Sequence, residues 1–344
     1  MAYTTINKHT DFYSTKTFQG SGSAQSITGV GHQPDLTWFK NTATSSRHQI
    51  YDAVRGNTKL VNPDSTDAEQ TVSFFTSFDS DGYTIPSGSS ALNGTDTICS
   101  WNWKAGTTSG ITTNGSTTIT PTGYSFNTTS KFSIIAYTGN GTSGAKIPHG
   151  LGVAPDVILI KKRSSGANIW AMYHSNIGAT HYLQFDTSGA TDNNVYWNDT
   201  APDTVNFTVG DASPVNSSST DYIAYCWTNL SGYCKAGKYV GKGNDSPYVH
   251  TGFKPSFILI KLTSATSDWQ LFDNKRLGYN DDNDYLNPNS NGSAQTADLF
   301  EIYSNGFRVT DNNSWGWNRS GEFYRYLAFG QTMVGTNGVP ATGR

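Results

Sequence analysis

One order of short motifs occurs three times along this chain of 344 residues. Each copy contains a glycine-rich turn, then a glycine followed by an apolar residue, and then a proline. An apolar run closed by lysine follows each proline, at residues 36–40, 157–161 and 257–261. A run that is apolar on both faces is typical of a strand buried between two layers. We therefore expect these three runs to be central strands.

The copies also share two further strand candidates. Second strand candidates follow at residues 48–52, 170–174 and 269–273. The last strand candidates are residues 98–101, 222–225 and 326–329. In this last group a small residue, Ser100, Ala224 or Ala328, leaves room for a facing aromatic ring. Each copy thus contains at least three segments with the pattern of a β-strand.

Turn signals and composition favour strands over helices. Asp81-Gly82 and Asn305-Gly306 are typical of hairpins, for which we expect type I′ turns with positive φ; the middle copy lacks this signal. Aromatic residues make up 13% of the chain and charged residues only 14%, with 35 glycines. Long exposed helices need more charged residues and alanine than this. The sequence predicts an all-β protein of three tandem, jelly-roll-like β-sandwich repeats.

The spacing of the copies suggests where the repeats begin and end. The copies lie about 100–120 residues apart, which suits a sandwich of about seven short strands. The expected segments are repeat 1 at residues 1–106, a linker at 107–130, repeat 2 at 131–230 and repeat 3 at 231–344. The linker is rich in Thr, Ser and Gly, and we expect an edge strand near residues 124–126. The join near Ser231 is short, which predicts close packing of repeats 2 and 3.

Charge, hydropathy and cysteine content exclude several classes of protein. A formal net charge of −3 provides no basic surface for nucleic acid. The apolar run at residues 157–160 is too short to cross a membrane, and the first residues lack the pattern of a signal peptide. Cys99, Cys226 and Cys234 form no Cys-x-x-Cys pair, so we expect buried thiols without disulfides or zinc. No cofactor is predicted, and synthesis in a cytoplasm is expected.

Three motifs that resemble catalytic or ligand sites fit turns better. Residues 139–144 match Gly-x-Gly-x-x-Gly but open no helix, so we expect a hairpin loop. His149 stands where the other copies have threonine, which favours a turn residue. Asp35 and Asp156 stand where the third copy has Ser256, so we expect turn or cap residues there. Since no acid position occurs in all three copies, the pattern argues against an enzyme.

An acidic run in the third copy is a weak candidate for calcium. Asp281, Asp282 and Asp284 supply oxygen ligands, although the run lacks the glycine and terminal glutamate of an EF-hand loop. A solvated loop is the favoured interpretation of these residues. We therefore predict no resident metal ion.

Two polar segments carry paired aromatic rings. Exposed rings beside amides and carboxylates are typical of glycan sites, because a flat ring stacks on the sugar while polar neighbours bind its hydroxyls. Trp315, Trp317, Tyr196 and Trp197 are therefore our candidate glycan-binding residues. The alternative is that these rings pack in the core or in a subunit interface, and we favour it slightly.

Several sequence blocks together resemble one family of virion proteins. The blocks are residues 1–6 leading to 26–31, residues 77–83, residues 100–106 and residues 149–155. They are similar to structural proteins of tailed phages, abundant in marine phages of cyanobacteria and often described as tail-fibre or virion structural proteins. The similarity covers nearly the whole chain and brings no catalytic residues with it. The resemblance implies a virion component, and the lack of coiled-coil heptads favours a head decoration or short spike.

We therefore expect a non-enzymatic virion structural protein, either a capsid decoration or a tail fibre or spike component, assembled in the host cytoplasm. Its expected partners are other virion proteins and, by analogy with phage appendages, two further copies of itself in a homotrimer. The alternative is a receptor-binding, lectin-like adhesin that recognises host surface polysaccharide through the aromatic segments. A depolymerase ranks third because it needs a carboxylate pair in a groove.

Overall fold

The computed structural model describes residues 4–164, 166, 168–189, 191–193, 195–276, 280, 283–310 and 316–333. Within these ranges the chain forms 27 β-strands, two one-turn α-helices and two short 3-10 helices. The all-β prediction is therefore confirmed. Of the helices in these ranges, none is long and apolar enough to span a membrane.

The strands are numbered here in chain order. The first part of the chain contains β1 (Tyr13–Gln19), β2 (Gln25–Thr28), β3 (Leu36–Asn41), β4 (Gln49–Asp52), β5 (Lys59–Leu60), β6 (Gln70–Thr71), β7 (Ser77–Asp79), β8 (Gly82–Ile85) and β9 (Thr97–Trp103). The middle contains β10 (Gly123–Asn127), β11 (Phe132–Thr138), β12 (Ala145–Pro148), β13 (Val157–Lys162), β14 (Trp170–His174), β15 (His181–Gln184), β16 (Asp192–Asn193), β17 (Asn206–Val209) and β18 (Asp221–Trp227). The last part contains β19 (Cys234–Val240), β20 (Tyr248–His250), β21 (Phe253–Leu262), β22 (Gln270–Asp273), β23 (Asn283–Leu286), β24 (Gln295–Ala297), β25 (Phe300–Tyr303), β26 (Gly306–Val309) and β27 (Phe323–Thr332). The helices are α1 (Ser90–Asn93), α2 (Ser213–Asn216) and the 3-10 helices His9–Asp11 and Val195–Trp197.

Three large antiparallel sheets share one strand order. Sheet 1 is β1-β9-β3-β4, sheet 2 contains β11-β18-β13-β14, and sheet 3 contains β19-β27-β21-β22. Sheet 2 also has β10 beside β11 and β15-β16 beyond β14, and sheet 3 continues with β23-β24. The predicted central strands β3, β13 and β21 lie inside their sheets and are buried along almost their whole length, as expected.

A small sheet covers the outer face of each large sheet. These small sheets are β2-β8-β7 on sheet 1, β12-β17 on sheet 2 and β20-β26-β25 on sheet 3, and β5-β6 forms a separate ribbon. Phe39 of sheet 1 packs against Tyr83 of its small sheet, with ring centroids 5.0 Å apart. On sheet 3, Phe272 likewise packs against Phe300 of the small sheet, with the two rings stacked at 4.5 Å. Each pair of sheets is a two-layered unit with its own outer core.

The inner faces of the three large sheets share one hydrophobic core. Because side chains alternate along a strand, one set faces this core and the other faces the outer core. The ring centroids of Trp38 in sheet 1 and Phe257 in sheet 3 lie 6.3 Å apart. Trp227 of sheet 2 contacts Trp103 of sheet 1 at 6.2 Å and Phe329 of sheet 3 at 6.4 Å. The sheets thus enclose a common interior, in which a cavity of about 30 Å³ remains.

Residues 107–130 pack onto sheet 2. The expected edge strand near residues 124–126 is confirmed, since β10 pairs with β11 and Ser125 lies opposite Ile134. Upstream of β10, Ile119 is only 5% exposed and belongs to the outer core of sheet 2. This segment therefore covers one edge of sheet 2 and is part of the packed fold.

The register of the last strands corrects one alignment. Tyr222 pairs and stacks with Tyr137 at 5.1 Å, and the matching pair in sheet 3 is Tyr324 with Tyr239 at 4.8 Å. The residue of sheet 3 that matches Ala224 is therefore Tyr326, two positions before the expected Ala328. The cross-strand partner, Gly237, has no side chain there, because a Cβ at Gly237 would overlap the Tyr326 ring. Sheet 2 has the reverse arrangement, with a large residue opposite Ala224.

Both predicted hairpins are present, but their turn type was predicted wrongly. Residues 80–81 join β7 to β8, and residues 304–305 join β25 to β26. The small sheet on sheet 2 contains only β12 and β17 among the described residues, as its missing hairpin signal predicted. Gly82 has a positive φ of 144°. The φ angles of Asp81, Asn305 and Gly306 are not positive. Type I′ geometry is therefore excluded.

The hairpin glycines are required by a close approach of neighbouring strands. A Cβ at Gly82 would overlap the carbonyl oxygen of Ile27 on β2, and a Cβ at Gly306 would overlap that of Val249 on β20. Any side chain at either position would push the small sheet apart. The Asp-Gly and Asn-Gly signals thus predicted the hairpins correctly, but the glycines are needed for close strand packing and not for a type I′ turn.

Candidate binding groove

Two free strand edges in the last third of the chain border an open groove. β19 is the outermost strand of sheet 3, and β20 is the outermost strand of the small sheet that covers it. The glycine-rich turn between these strands packs tightly, since a Cβ at Gly241 would overlap the carbonyl oxygen of Arg319. The turn connects β19 to β20, and among the described residues each of these strands pairs only with a strand on the side away from the groove.

The groove consists of two cavities of about 390 and about 270 Å³. They are adjacent, since Asn229, Lys235 and His250 line both. The side chain of Tyr248 on β20 is 47% exposed, although tyrosine side chains are usually more deeply buried. The lining residues with ionisable, amide or exposed aromatic side chains are Asn176, Asn229, Lys235, Lys238, Tyr248 and His250.

Amide side chains hold the wall of the groove on the β19 side. The backbone N–H of Ala236 donates to Oδ1 of Asn229 at 2.5 Å. The Nδ2 groups of Asn229 and Asn176 both donate to the carbonyl oxygen of Ala236 at 3.5 Å. Arg325 Nε in turn donates to the carbonyl oxygen of Asn176 at 3.3 Å. These bonds occupy the outward-facing groups of β19 at Ala236 and keep this end of the groove in shape.

The groove has a basic character. Lys235 Nζ donates to the carbonyl oxygen of His250 at 2.7 Å, and partial burial lowers the pKa of this lysine. Lys238 is exposed beside it. None of the described residues that line the groove carries a carboxylate. The groove therefore suits a ligand that presents carbonyl or carboxylate oxygens, together with a flat or apolar group against Tyr248.

The structure buries three of the four aromatic residues predicted to bind glycan. Tyr196 and Trp317 are 8% exposed and Trp197 is 1% exposed. Trp315 lies outside the described residues. The expectation of exposed rings is therefore wrong for these three, and the alternative of core packing is confirmed for them. Their ring faces contact other side chains, so they offer no open surface for stacking on a sugar.

Trp317 is buried because it occupies a position that is equivalent to a buried residue beside sheet 2. In sheet 2, the hydroxyl of Tyr137 donates to the carbonyl oxygen of Val215 in α2 at 2.6 Å. In sheet 3, the matching Tyr239 donates to the carbonyl oxygen of Trp317 at 2.7 Å. Trp317 thus fills the position of an apolar helix residue, and its ring packs against Tyr285 at 5.1 Å. Its polar flanking residues concealed this role in the sequence.

The calcium candidates are not assembled into a site within the described part of the chain. Asp281 and Asp282 lie outside the described residues. Asp284 accepts a hydrogen bond from Thr296 Oγ1 at 2.7 Å, across two paired strands. In the part that the structure describes, no group of three or more His, Cys, Asp or Glu side chains could hold a metal ion.

His149 has the expected turn role, whereas Asp35 and Asp156 bond to backbone that is distant in the chain instead of capping a local turn. His149 Nδ1 accepts the backbone N–H two residues further on, at 3.2 Å. Asp35 accepts the N–H of Ala105 at 2.9 Å, and Asp156 accepts the N–H of Asn229 at 2.8 Å. Both acceptor bonds lie just beyond the last strand of a large sheet. Residues 139–144 form a loop, but it joins β11 to β12, which belong to different sheets, so the expectation of a hairpin is wrong there. The three cysteines are buried and free, as predicted.

Each lysine that closes a central strand has a buried ammonium group. Burial lowers the pKa of Lys40, Lys161 and Lys261 to about 8. The three Nζ atoms donate to carbonyl oxygens of their own loops, at Thr44 (3.1 Å), Asn168 (2.6 Å) and Ser267 (2.5 Å), respectively. Each also reaches a more distant loop, at Asn291 (3.3 Å), Ser65 (3.3 Å) and Ser188 (3.1 Å), respectively. The lysines therefore join loops. The sequence pattern predicted their position at the end of each central strand but not this role.

Sequence reasoning missed the groove, although the spacing of the copies contained a signal for it. The segment between the first two copies is longer than the join between the second and third, which runs only from the end of β18 at Trp227 to the start of β19 at Cys234. The longer segment covers an edge of sheet 2, and within the described part of the chain no equivalent segment pairs with the outer edge of sheet 3 at β19. A missing insertion in a repeated pattern thus marks the open edge.

Comparison with known families identifies one match over most of the chain. A family model described as "Domain of unknown function (DUF7483)" matches residues 8–332. The chain therefore belongs to this family. A search among curated proteins finds no match.

Proposed function

We propose that this member of the DUF7483 family is a non-enzymatic structural protein of a tailed-phage particle, either a capsid decoration or a tail fibre or spike component. The observation that best supports the proposal is a set of three buried hydrogen bonds that close the large sheets into a ring. The sequence blocks that resemble phage virion proteins supply the context. Both features favour a part whose task is to keep its shape.

The closing bonds follow one pattern around the ring. In each, the residue at the end of the fourth strand of one sheet bonds to the last strand of the next sheet. The bonds join Asp52 to the Tyr225 hydroxyl (2.7 Å), His174 to the Tyr326 carbonyl (3.2 Å) and Asp273 to Trp101 Nε1 (3.3 Å). Sheet 1 is thus tied to sheet 2, sheet 2 to sheet 3, and sheet 3 to sheet 1.

Buried ion pairs reinforce two of these three contacts. Arg55 Nε donates to Asp52 at 2.5 Å, and Arg276 Nε donates to Asp273 at 2.7 Å, with all four side chains almost fully buried. A buried carboxylate is tolerated only when it is paired and hydrogen-bonded. In sheet 2 the matching residue is the neutral His174, which needs no arginine. These ionisable groups serve the scaffold, which favours a structural function over an enzymatic one.

We also propose that the three two-layered units are tandem repeats with the boundaries expected from the sequence. The shared strand order, the three matching lysines and the ring of closing bonds support this division. A phage protein built in a reducing cytoplasm cannot rely on disulfides. A shared central core and interlocked loops provide the alternative source of rigidity.

The first experiment is to measure this chain in purified phage particles by quantitative mass spectrometry, normalised to the major capsid protein. A copy number close to that of the capsid protein supports a head decoration, and a few copies per particle support a fibre or spike. Absence from washed particles would overturn the proposal. The proposed homotrimer is tested by light scattering, where three times 37.3 kDa is the expected mass.

A second candidate function, a polysaccharide-binding adhesin, is favoured by the groove. The exposed ring of Tyr248 beside the amides of Asn176 and Asn229 is the combination that sugar sites use. Host polysaccharide should then bind the wild-type protein and not the Tyr248→Ala variant, in an isothermal titration. Equal binding by both proteins would remove the groove from this role.

A further inference from the structure

The groove of sheet 3 has a counterpart in sheet 2 that the chain itself fills. There, the backbone N–H groups of Thr118 and Ile119 both donate to the carbonyl oxygen of Lys146 on β12 at 3.0 Å. A few residues later, the N–H of Thr122 donates to the carbonyl oxygen of Ala136 on β11 at 2.8 Å. β10 then pairs along the rest of β11. One extended segment thus bridges the two strand edges that border this counterpart groove.

The two grooves match residue by residue. Tyr137 and Tyr239 are equivalent, so Ala136 on β11 corresponds to Lys238 on β19. The sequence Gly-apolar that follows β12 and β20 aligns Lys146 with Tyr248. The carbonyls that receive the bridging segment in sheet 2 therefore correspond to carbonyls that face the open groove in sheet 3.

The edge of β19 is open from Lys238 onward. Strand residues alternate in which neighbour their backbone faces, and Ala236 faces outward because its N–H and C=O bond to the amides described above. Lys238 and Val240 therefore face outward as well. Both residues are exposed, and Val240 is 46% exposed although it is apolar. An unpaired strand edge with an exposed apolar residue is a template for another strand.

We propose that this groove binds an extended polypeptide strand of a partner protein by strand addition between β19 and β20. The bound strand donates backbone N–H groups to the carbonyls of Lys238 and Tyr248, as residues 118–122 do in sheet 2, and it accepts the N–H of Lys238 in the position of Gly123, which pairs with Ala136. It carries an apolar residue in the position of Ile119 and a carboxylate or carbonyl group near Lys235 and Lys238. This inference does not depend on the phage assignment, because it rests on the filled groove of sheet 2.

The probe for this binding is a fluorescently labelled synthetic peptide of residues 114–124, the sequence that occupies the groove of sheet 2. Titration with the full-length protein should raise the anisotropy of the peptide, with a dissociation constant below about 1 mM. In hydrogen exchange on the wild-type protein, the amides of Lys238 and Val240 should become protected when the peptide is added. Absence of binding at protein concentrations up to about 1 mM would overturn the proposal.

The Lys238→Pro variant tests whether the backbone makes the contact. Proline removes an outward-facing N–H and is tolerated at a sheet edge, so near-ultraviolet circular dichroism should stay unchanged. We expect at least about tenfold weaker peptide binding for Lys238→Pro and less than about threefold for the matched control Lys238→Ala. Equal affinities of the two variants would contradict strand addition.

Two other occupants give distinct results. If a polysaccharide binds the groove and the peptide does not, the groove is a glycan site and the proposal fails. If the protein alone forms a dimer that Lys238→Pro abolishes, in sedimentation at several concentrations, then a second copy occupies the groove and a separate partner is excluded. Detection of the chain in phage particles remains a separate result, so the two proposals fail independently.

Discussion

Asp273 and Trp101 belong to different large sheets and share a buried hydrogen bond, in which Trp101 Nε1 donates to Asp273 Oδ2 at 3.3 Å. The same carboxylate oxygen accepts Arg276 Nε at 2.7 Å. The other carboxylate oxygen accepts the backbone N–H of Arg276 at 3.0 Å. One carboxylate therefore fixes a turn, neutralises an arginine and joins sheet 3 to sheet 1.

Removing Arg276 should destabilise the protein strongly. Arg276→Leu leaves the Asp273 carboxylate buried without its cation, and we expect a loss of about 3–5 kcal/mol in the free energy of unfolding. The double variant Asp273→Asn/Arg276→Leu should be more stable than Arg276→Leu alone, since the unpaired charge is removed. Urea denaturation measures both. Arg47→Ala, which breaks the exposed pair with Asp67, is the matched control and should cost less than about 1 kcal/mol.

His174 should make the stability of the protein depend on acid pH. Its Nε2–H donates to Tyr326 O, and its Nδ1 accepts the N–H of Asn176, so the native state needs the neutral ring. Burial lowers the pKa of His174 to about 4, against 6.5 in the unfolded chain. The unfolded state therefore binds the extra proton first, and stability present above pH 6.5 is lost as the pH falls toward 4.

The variant that tests this dependence is His174→Gln, which keeps an amide donor and does not titrate. The wild-type protein should lose about 3 kcal/mol more stability than His174→Gln between pH 6.5 and pH 4, in urea denaturation at each pH. The other buried histidines titrate in both proteins, so they cancel in the difference. Parallel pH profiles would show that His174 is not the titrating group.

Exchanging the large and small partners in sheet 3 should preserve the fold. Tyr326→Ala alone leaves a cavity and should cost about 3–5 kcal/mol, and Gly237→Ile alone should be at least as damaging because its side chain overlaps the Tyr326 ring. The double variant reproduces the Ile135–Ala224 pair of sheet 2 and should recover most of the loss. Thermal unfolding of the four proteins measures this coupling, and additive losses would contradict the match between the sheets.

A buried asparagine ties each glycine-rich turn to the outer core. Asn216 Nδ2 donates to the carbonyl oxygens of Gly210 and Thr142, both at 2.9 Å, and its Oδ1 accepts the N–H of Asn140 at 2.9 Å. Asn318 in sheet 3 and Asn93 in sheet 1 likewise donate to two carbonyl oxygens and accept one backbone N–H. One amide thus satisfies three backbone groups, at least two of which belong to the turn.

The Asn216→Asp variant should be less stable than the Asn216→Ala variant. A carboxylate places negative charge against two carbonyl oxygens, whereas alanine only leaves them unpaired, at a cost of about 2–3 kcal/mol. The matched control is Asn244→Asp at an exposed position, for which we expect a change below about 0.5 kcal/mol. Equal stability of Asn216→Asp and the wild type, by urea denaturation, would contradict the assigned bonds.

Motifs that act locally were predictable from the sequence. The central strands, both hairpins, the edge strand near residue 125 and the turn role of His149 depend on neighbours within a few positions, so their patterns survive in the sequence. Trp317 and Tyr196 were wrongly predicted to be exposed, because the polar residues that flank each of them are typical of exposed loops. Their burial depends on contacts with β-strands that are distant in the chain, such as Tyr182 against Tyr196 at 4.3 Å.

Motifs in the sequence could not predict the open groove. The groove results from the absence of a covering segment, and an absent segment leaves no motif to recognise. Only the comparison of sheet 2 with sheet 3 shows that residues 118–124 fill one groove, whereas no described segment fills the groove that Lys238 and Tyr248 face. The sequence also could not show that Tyr326, and not Ala328 two positions later, is the residue that matches Ala224. Ala328 fits the repeated pattern equally well, and only the pairing with Gly237 distinguishes the two alignments.

The sequence by itself determined the all-β class, the threefold order of strands and the buried runs that end in lysine, because strand propensity and alternation act over a few residues. Only the packing of distant parts of the chain specifies that the three large sheets enclose one core, that Asp273 bonds to Trp101, and that no described segment pairs with the outer edge of β19. These features join residues separated by a hundred positions or more. Their energies depend on which side chains meet in space, and no local pattern specifies such a meeting.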